Sequence, residues 1–444
     1  MNTALTTAPR PNIVFIVADD LGYADLGCYG GRAPVSPVLD SLAAGGMKFT
    51  QGYANSPVCS PTRFALMTAR YQYRLRGAAE EPINNKSRGS TTLGLPPEHP
   101  TLPSLLKASG YRTALIGKWH LGYPPSFGPL RSGYEEFFGP MSGGVDYFTH
   151  CSSNGSHDLW FGEEEKQEEG YLTDLISQRS VDYVDRMAGA AKAGTPFLLS
   201  MHYTAPHWPW ETRDDEALAQ DIRDNLFHLH GGNIHSYRRM IHHMDEGIGR
   251  VMDTLRRHGL ADNTLVVFTS DNGGERFSDS WPLVGGKMDL TEGGIRVPWI
   301  AHWPAQIAAG QVSGQHCMSM DWSATLLDAA GVAADPAYPL DGMSLLPVLQ
   351  QPVRQFHRPL YWRMNHRGQR ALRDGDWKYL RVDGNDYLFN IAADERERAN
   401  LAPREPARLA ALREAWDRWN DSMPPIPADA TVSLGYSVKD MPQR

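Results

Sequence analysis

Cysteine is scarce: the 444-residue chain has four, Cys28, Cys59, Cys151 and Cys317, far apart in sequence. That number and spacing exclude a disulfide framework, a Cys-x-x-Cys redox pair and a zinc pattern, and leave buried thiols as the default. Positive charge is not in excess either. A formal charge of −8, from 43 Lys and Arg against 51 Asp and Glu, argues against a nucleic-acid or membrane-surface binder, which would show clustered cations. Any anionic partner must be held by a local cationic site. No stretch approaches the roughly 20 apolar residues of a membrane span. The first apolar run, Ile13 to Val17, is shorter than the core of a signal peptide and stops at Asp19 and Asp20, so the expectation is a cytoplasmic protein without membrane contact.

What is present is ordinary globular composition, 41% hydrophobic and 21% charged, in a chain long enough for two domains. Short apolar runs alternate with amphipathic segments, the pattern of an α/β fold with a largely parallel sheet. Strands are expected over Asn12–Val17, Arg112–Ile116, Pro196–Met201, Thr264–Thr269 and Val297–His302. Helices are expected over Ser36–Ala44, Pro61–Ala69, Leu102–Ala108, Thr173–Met187 and Tyr237–Arg257, the third and last closed by Gly110 and Gly259. After Leu349 the texture changes to hairpins, which divides the chain into a catalytic domain, 1–349, and a smaller C-terminal α+β subdomain, 350–444. There a hairpin turns at Asp374-Gly375-Asp376, Tyr387–Asn390 adds a strand, and Pro406–Trp419 forms a helix. From Pro424 the Pro-rich, polar tail reads as an arm or a disordered end.

In open parallel sheets ligands bind outside the carboxyl ends of the strands. The residues that follow the expected strands converge there: Asp19-Asp20, then Lys118-Trp119-His120, then His207, then Asp271-Asn272-Gly273-Gly274. Three carboxylates and an amide are hard oxygen donors, suited to Ca²⁺ or Mg²⁺ rather than zinc, so Asp19, Asp20, Asp271 and Asn272 are read as one metal site. In Cys59-Ser60-Pro61-Thr62-Arg63, Ser60 suits the N-cap and Pro61 the first helical position. Cys59 would then sit at a positive helix end, which lowers a thiol pKa and cradles an anion, with Arg63 one turn in to fork onto its oxygens.

Cys59-Ser60-Pro61-Thr62-Arg63 resembles the signature of the type I sulfatase family, and Gly117-Lys118-Trp119-His120-Leu121-Gly122 resembles its second signature. Ile16–Gly22, Ser270–Gly274 and Gly285-Gly286-Lys287 look like further family segments in the expected order, and Ala371–Leu401 like its C-terminal subdomain. The resemblance implies an alkaline-phosphatase-like fold: a large, mostly parallel mixed sheet flanked by helices, and a smaller antiparallel sheet. It also implies that Cys59 is oxidised by a formylglycine-generating enzyme to formylglycine, an aldehyde that hydrates to a diol. By similarity Asp19, Asp20, Asp271 and Asn272, with the converted Cys59, bind a divalent cation, usually Ca²⁺, with Mg²⁺ or Mn²⁺ as alternatives.

In the implied mechanism one diol hydroxyl attacks sulfur, His207 or Lys287 protonates the leaving alcohol or phenol, and His120 deprotonates the second hydroxyl to expel sulfate. Arg63 and Lys118 orient the diol and bind sulfate oxygens. A divalent cation with Arg63, Lys118 and Lys287, set against Asp19, Asp20 and Asp271, leaves about +2 on formal counting, a pocket for a tetrahedral anion. The expected substrate is a small sulfate monoester. Two rivals share these residues: a phosphonate monoester or phosphodiester hydrolase, and a noncatalytic anion binder with an unconverted Cys59.

Other signals read as structural. His228, His230 and His235, and His242-His243 with Asp245, lack the helical i, i+4 histidine pair of a metal site; Glu163–Glu169 reads as a solvated turn. Tyr147, Phe148, Trp160, Phe161, Trp208 and Trp210 flank the expected site loops, and each reads either as lining the substrate mouth or as core packing. Asp146 and His150 lie where the family usually carries one more polar site residue, without a clear match.

Overall fold

The computed structural model describes residues 9–222, 226 and 231–433. Its centre is the strand Asn12–Ala18, every residue of which is buried. Val14, Ile16 and Ala18 point into one core and Ile13, Phe15 and Val17 into the other, as the period of two requires of a strand covered on both faces. Phe197–His202 and Thr264–Ser270 pair with it in parallel on either side. Arg112–Gly117 and Glu136–Gly139 continue the parallel set.

Among the described residues ten strands form the sheet, in the order Gln311–Ser313, Met47–Phe49, Trp299–His302, Thr264–Ser270, Asn12–Ala18, Phe197–His202, Arg112–Gly117, Glu136–Gly139, Trp160–Phe161, Glu164–Glu165. Trp299–His302 runs antiparallel to both neighbours, which makes the sheet mixed. The five strands expected from the sequence are all present, with ends moved by one or two residues.

Helices Leu172–Lys192, Ile234–Arg257 and Pro37–Gly45 cover one face; Cys59–Thr68, Leu102–Ala108 and Ser319–Ala329 cover the other. The long helix starts where Asn233 accepts from the amides of His235 and Ser236. Asp245 on that helix accepts from the amides of Val38 and Leu39, at 2.9 Å each, and so caps Pro37–Gly45. No described helix is long and apolar enough to cross a membrane.

The C-terminal part is a four-stranded antiparallel meander, Leu360–Arg363, Arg370–Asp374, Trp377–Val382 and Asn385–Asn390. Helix Pro406–Asp421 packs Leu412 and Trp416 against Leu372, Tyr379 and Leu388. A buried ion cluster joins this sheet to the short helix Glu292–Ile295 of the catalytic part: Lys378 Nζ lies 2.9 Å from Glu292 Oε1 and 2.8 Å from Glu397 Oε1. A buried cation held by two carboxylates fixes register, since breaking either pair strands a charge in low dielectric. Beyond the helix the chain runs back along residues 80–84, with Val432 bridging Glu81 in parallel.

Candidate active site

Parallel strands end together, so the residues after them meet. Asp19 and Asp20 leave Asn12–Ala18, Lys118 and His120 follow Arg112–Gly117, His202 ends its strand, and Asp271 follows Thr264–Ser270. The backbone ties the ends down: the Asp271 amide donates to Ala18 O and the Lys118 amide to His202 O, at 3.1 and 2.7 Å. Gly117 makes the second contact possible. Its φ is +120°, and a Cβ there would stand 1.9 Å from His202 O.

Helix Cys59–Thr68 points its first turn at this point, and all its residues are buried. The N-cap is Val58, whose side chain makes no capping bond. The expected capping role of Ser60 is therefore corrected: Ser60 is inside the helix, and its Oγ accepts from the Ile83 amide at 2.9 Å. The entry turn is held instead by Thr62 Oγ1, which accepts from Ser56 N and donates to Ser56 O, both at 2.9 Å.

Arg63 is almost fully buried and makes the densest contacts. Its Nε and Nη2 each reach Asp271 Oδ2 at 2.9 Å, Nη2 lies 3.9 Å from Asp19 Oδ1, and Nη1 donates to Lys118 O at 3.1 Å. Lys118 Nζ holds Asp19 Oδ2 at 2.5 Å. Lys287 Nζ holds Asp20 Oδ2 at 2.7 Å and stands 3.7 Å from Glu275 Oε2. Asn272 Nδ2 donates to Asp20 Oδ1 at 2.7 Å. His207 Nε2 lies 3.5 Å from Asp20 Oδ2, with Nδ1 2.6 Å from Trp208 O. The Cys59 thiol donates to Asp20 Oδ1 at 4.0 Å.

His120 adopts φ +61° and places Nε2 2.7 Å from Ile83 O, leaving Nδ1 buried without a partner. All the residues expected at the site from the sequence thus come together.

Electrostatics follow from burial and from these pairs. Burial alone would raise the Asp20 carboxyl, but Lys287 and His207 pull it well below the usual carboxylate range. Burial, with Asp19 beside it, raises Asp271 above that range against the pull of Arg63. Burial and Lys287 push His207 down to about 3, and burial and Lys118 hold His120 well below 6.5, so both imidazoles are neutral. Cys59 corrects an expectation: burial raises its thiol well above 9 despite the nearby lysines. Desolvation of the thiolate outweighs the helix end.

One ligand atom from each of Asp19, Asp20, Cys59 and His207 lies within 4.8 Å of the others, a grouping of the size that holds a metal ion. Two observations fit a cation there: Asp19 Oδ1 and Asn272 Oδ1 are buried with no hydrogen-bond partner, and a buried oxygen acceptor without a donor calls for one. The donors are mainly oxygens, which suits a hard cation.

The remaining sequence signals resolve into structure. His228 and His230 lie outside the described residues, and His235 is exposed at a helix start. His242 pairs with Glu246 at 3.5 Å, and His243 packs edge-on to Tyr171. The carboxylates of Glu163, Glu165 and Glu168 sit on Arg131, Arg88 and Arg179. Asp146 Oδ1 accepts from the amides of Phe148 and Thr149, and His150 Nε2 bonds Gly170 O, so both are tied to backbone groups.

The loop's backbone faces the site, because a Cβ on Gly143 or Gly144 would strike His120 or His207. Tyr147 and Trp160 belong to the core, Phe161 is half exposed, and Trp208 lies against His207. Of the four thiols, Cys28 is only half-buried. Two neighbours escaped the sequence reading. His202 Nδ1 lies 3.4 Å from Arg63 Nη1, and both buried carboxylate oxygens of Glu275 are without a hydrogen-bond partner beside Lys287.

The Sulfatase family model matches residues 11–332, and a model of the N-sulphoglucosamine sulphohydrolase C-terminal region matches 286–403. N-acetylgalactosamine-6-sulfatase of Sus scrofa is 35% identical over 383 residues, which cover 81% of this chain and 69% of that protein. Arylsulfatase A of Homo sapiens is 34% identical over 403 residues, 84% of this chain and 75% of that one. Among solved structures, Ps i-CgsB in complex with k-i-k-neocarrahexaose superposes with a TM-score of 0.81 at 32% identity, over 92% of each chain.

Proposed function

The chain belongs to the sulfatase family and hydrolyses sulfate esters, and from that premise we propose that it does so through a formylglycine made from Cys59, acting on a sulfated sugar. The observation that carries this reading is the mismatch at Cys59. A neutral, buried thiol stands within reach of Asp20 among hard oxygen donors and fixed cations, surroundings that favour neither a thiolate nucleophile nor a soft metal. Oxidation by a formylglycine-generating enzyme replaces that sulfur with a hydrated aldehyde, whose hydroxyl is a hard nucleophile for sulfur.

Asp19, Asp20, Asp271 and Asn272, with the converted Cys59, would hold a divalent cation, Ca²⁺ rather than Mg²⁺ because the site offers several protein oxygens rather than the few that Mg²⁺ takes beside its waters. Bound there, the cation supplies polarisation of the sulfuryl group and of the nucleophilic hydroxyl.

The protein's own groups divide the remaining work. Arg63 and Lys118 are locked by Asp271 and Asp19 in fully buried positions, which pre-organises two positive charges for sulfate oxygens. Lys287, an ammonium with 14% of its side chain exposed, is the acid that protonates the leaving oxygen; neutral His207, whose Nδ1–H is donated to Trp208 O, offers only an acceptor at Nε2 and helps to position it across Asp20. His120, neutral and with Nδ1 free, is the base for the second hydroxyl.

Sugar sulfates are favoured as substrates because one relative is named N-acetylgalactosamine-6-sulfatase and a similar structure was solved in complex with k-i-k-neocarrahexaose. Sulfate release from a panel of galactose and N-acetylgalactosamine sulfates, against 4-nitrophenyl sulfate, tests this. The expected result is a kcat/KM at least tenfold higher for one sugar sulfate. Preference for the aryl ester over every sugar would overturn the substrate class, and preference for the matching aryl phosphonate monoester would overturn the sulfate assignment.

A further inference from the structure

The last described stretch of chain reaches the active site indirectly. After helix Pro406–Asp421 the strap 424–433 crosses back over the catalytic domain. Arg363 Nη2 donates to Pro424 O at 2.5 Å, and Arg76 Nη2 lies 3.0 Å from Asp429 Oδ2. The Thr431 amide donates to Glu80 Oε2 at 3.1 Å, and the Thr431 hydroxyl donates to the same oxygen. The backbones then interlock: Glu81 N donates to Thr431 O at 3.0 Å and Ser433 N to Glu81 O at 2.9 Å. Asn84 Nδ2 bonds Ser433 Oγ at 2.5 Å.

Residues 80–84, so gripped, carry Ile83, which makes one contact beside Cys59 and one with His120. Its amide donates to Ser60 Oγ, next to Cys59, and its carbonyl meets His120 Nε2 at 2.7 Å. A carbonyl oxygen only accepts, so the bond to Ile83 puts the imidazole proton on Nε2 and leaves the Nδ1 lone pair free. His120 holds a left-handed backbone angle, φ +61°, which a non-glycine residue keeps only where its surroundings impose it.

We propose that the C-terminal strap 424–433 is a positioning element of the active site, which holds the Ile83 carbonyl against His120 and thereby fixes the tautomer in which Nδ1 is the base. The strap is joined by a few polar contacts over a cavity of about 160 Å³ lined by Pro61, Tyr73, Glu81, Arg363 and Pro424 among others. Because that contact is sparsely packed, single contacts can be released without breaking a core. The inference rests on the reading of His120 as the base, and its test separates the two.

The full-length variant Thr431→Ala/Ser433→Pro removes one hydroxyl and one amide donor to the 80–84 segment and the Ser433 hydroxyl. It is compared with wild type and with Thr431→Ser, which keeps the hydroxyl. In wild type, ¹⁵N NMR of the His120 ring is expected to show a protonated Nε2 and an unprotonated Nδ1; in the double variant the two tautomers mix. On an aryl sulfate kcat falls about tenfold or more, as for loss of an orienting partner, KM stays within about twofold, and Thr431→Ser behaves as wild type.

An unchanged His120 tautomer in the double variant, or a fall in activity that follows only a lowered melting temperature, overturns the proposal. Turnover retained in His120→Asn overturns the reading of His120 as base, and leaves the tautomer measurement to decide the strap's role.

Discussion

Replacing Arg63 by alanine separates the structural from the catalytic share of one buried charge. The guanidinium touches Asp271 Oδ2 twice at 2.9 Å and donates to Lys118 O at 3.1 Å, and neither Arg63 nor Asp271 is accessible to solvent beyond 1%. Removing one partner of such a pair leaves an uncompensated carboxylate, at a cost of about 3–5 kcal/mol. Arg63→Ala is therefore expected to lower the unfolding free energy by that amount in urea titrations at pH 7.5.

The double variant Arg63→Ala/Asp271→Asn removes the stranded charge and should recover about half of the loss, while sulfatase activity stays down by a factor on the order of 10² or more, because the Arg63 charge is still missing and a carboxylate ligand of the proposed cation is gone as well. The pH dependence has a definite sign. Burial and Asp19 already raise Asp271 in the folded protein, and without Arg63 it rises further. A carboxyl raised above its unfolded value destabilises the fold at high pH and is relieved as it takes up a proton, so the deficit of Arg63→Ala shrinks from pH 8 to pH 5. A deficit below about 1 kcal/mol, or one that Asp271→Asn deepens, would refute the reasoning.

Three further outcomes follow from the same geometry. Burial and Asp146 raise Glu211 to about 9, so relative to Glu211→Gln the wild type should lose on the order of 1.4 kcal/mol per pH unit between pH 4.5 and 9, read by urea unfolding across that range; a flat difference would contradict the buried carboxyl. Gly117→Ala forces a Cβ to 1.9 Å from His202 O at φ +120° and is expected to destabilise by about 2 kcal/mol or more and to lower kcat, by calorimetry and steady-state assay. Chelation with EGTA should lower both the melting temperature and the activity, and Ca²⁺ should restore them at lower concentration than Mg²⁺; unchanged values after exhaustive chelation would remove the metal from the account.

Much of this molecule is legible in the sequence for stated physical reasons. Strands buried on both faces must be continuous apolar runs, so Asn12–Ala18, Phe197–His202 and Thr264–Ser270 stand out, and the polar residues after them converge because parallel strands end on one side. The short strands Met47–Phe49 and Gln311–Ser313 carry too few residues to display a period, and Leu360–Arg363 follows a Pro-rich stretch that masks it.

At the site, Cys59, Arg63 and Lys118 were readable because each has charge or chemistry at a strand or helix end. His202 was not, being the last residue of an apolar run. Glu275 was adjacent to a legible segment, but only its unpartnered oxygens single it out. The Cys59 thiol departs from expectation because sequence shows the helix end but not the depth of burial, which keeps the proton on sulfur. The cap falls at Val58 instead of Ser60 because the helix already starts at Cys59, and Ser60 is taken by the amide of distant Ile83. The hold of residues 424–433 on His120 runs through backbone groups of Glu81 and Ile83, which no side-chain pattern displays.

The central claim is that turnover depends on a converted Cys59. Mass spectrometry of the tryptic peptide from Phe49 to Arg63, made on preparations expressed with and without a formylglycine-generating enzyme and assayed for sulfate release, tests it directly. Specific activity is expected to rise in proportion to the fraction of peptide that has lost its sulfur, and Cys59→Ala to be inactive with its fold intact. Full activity in a preparation whose peptide retains cysteine throughout would contradict it.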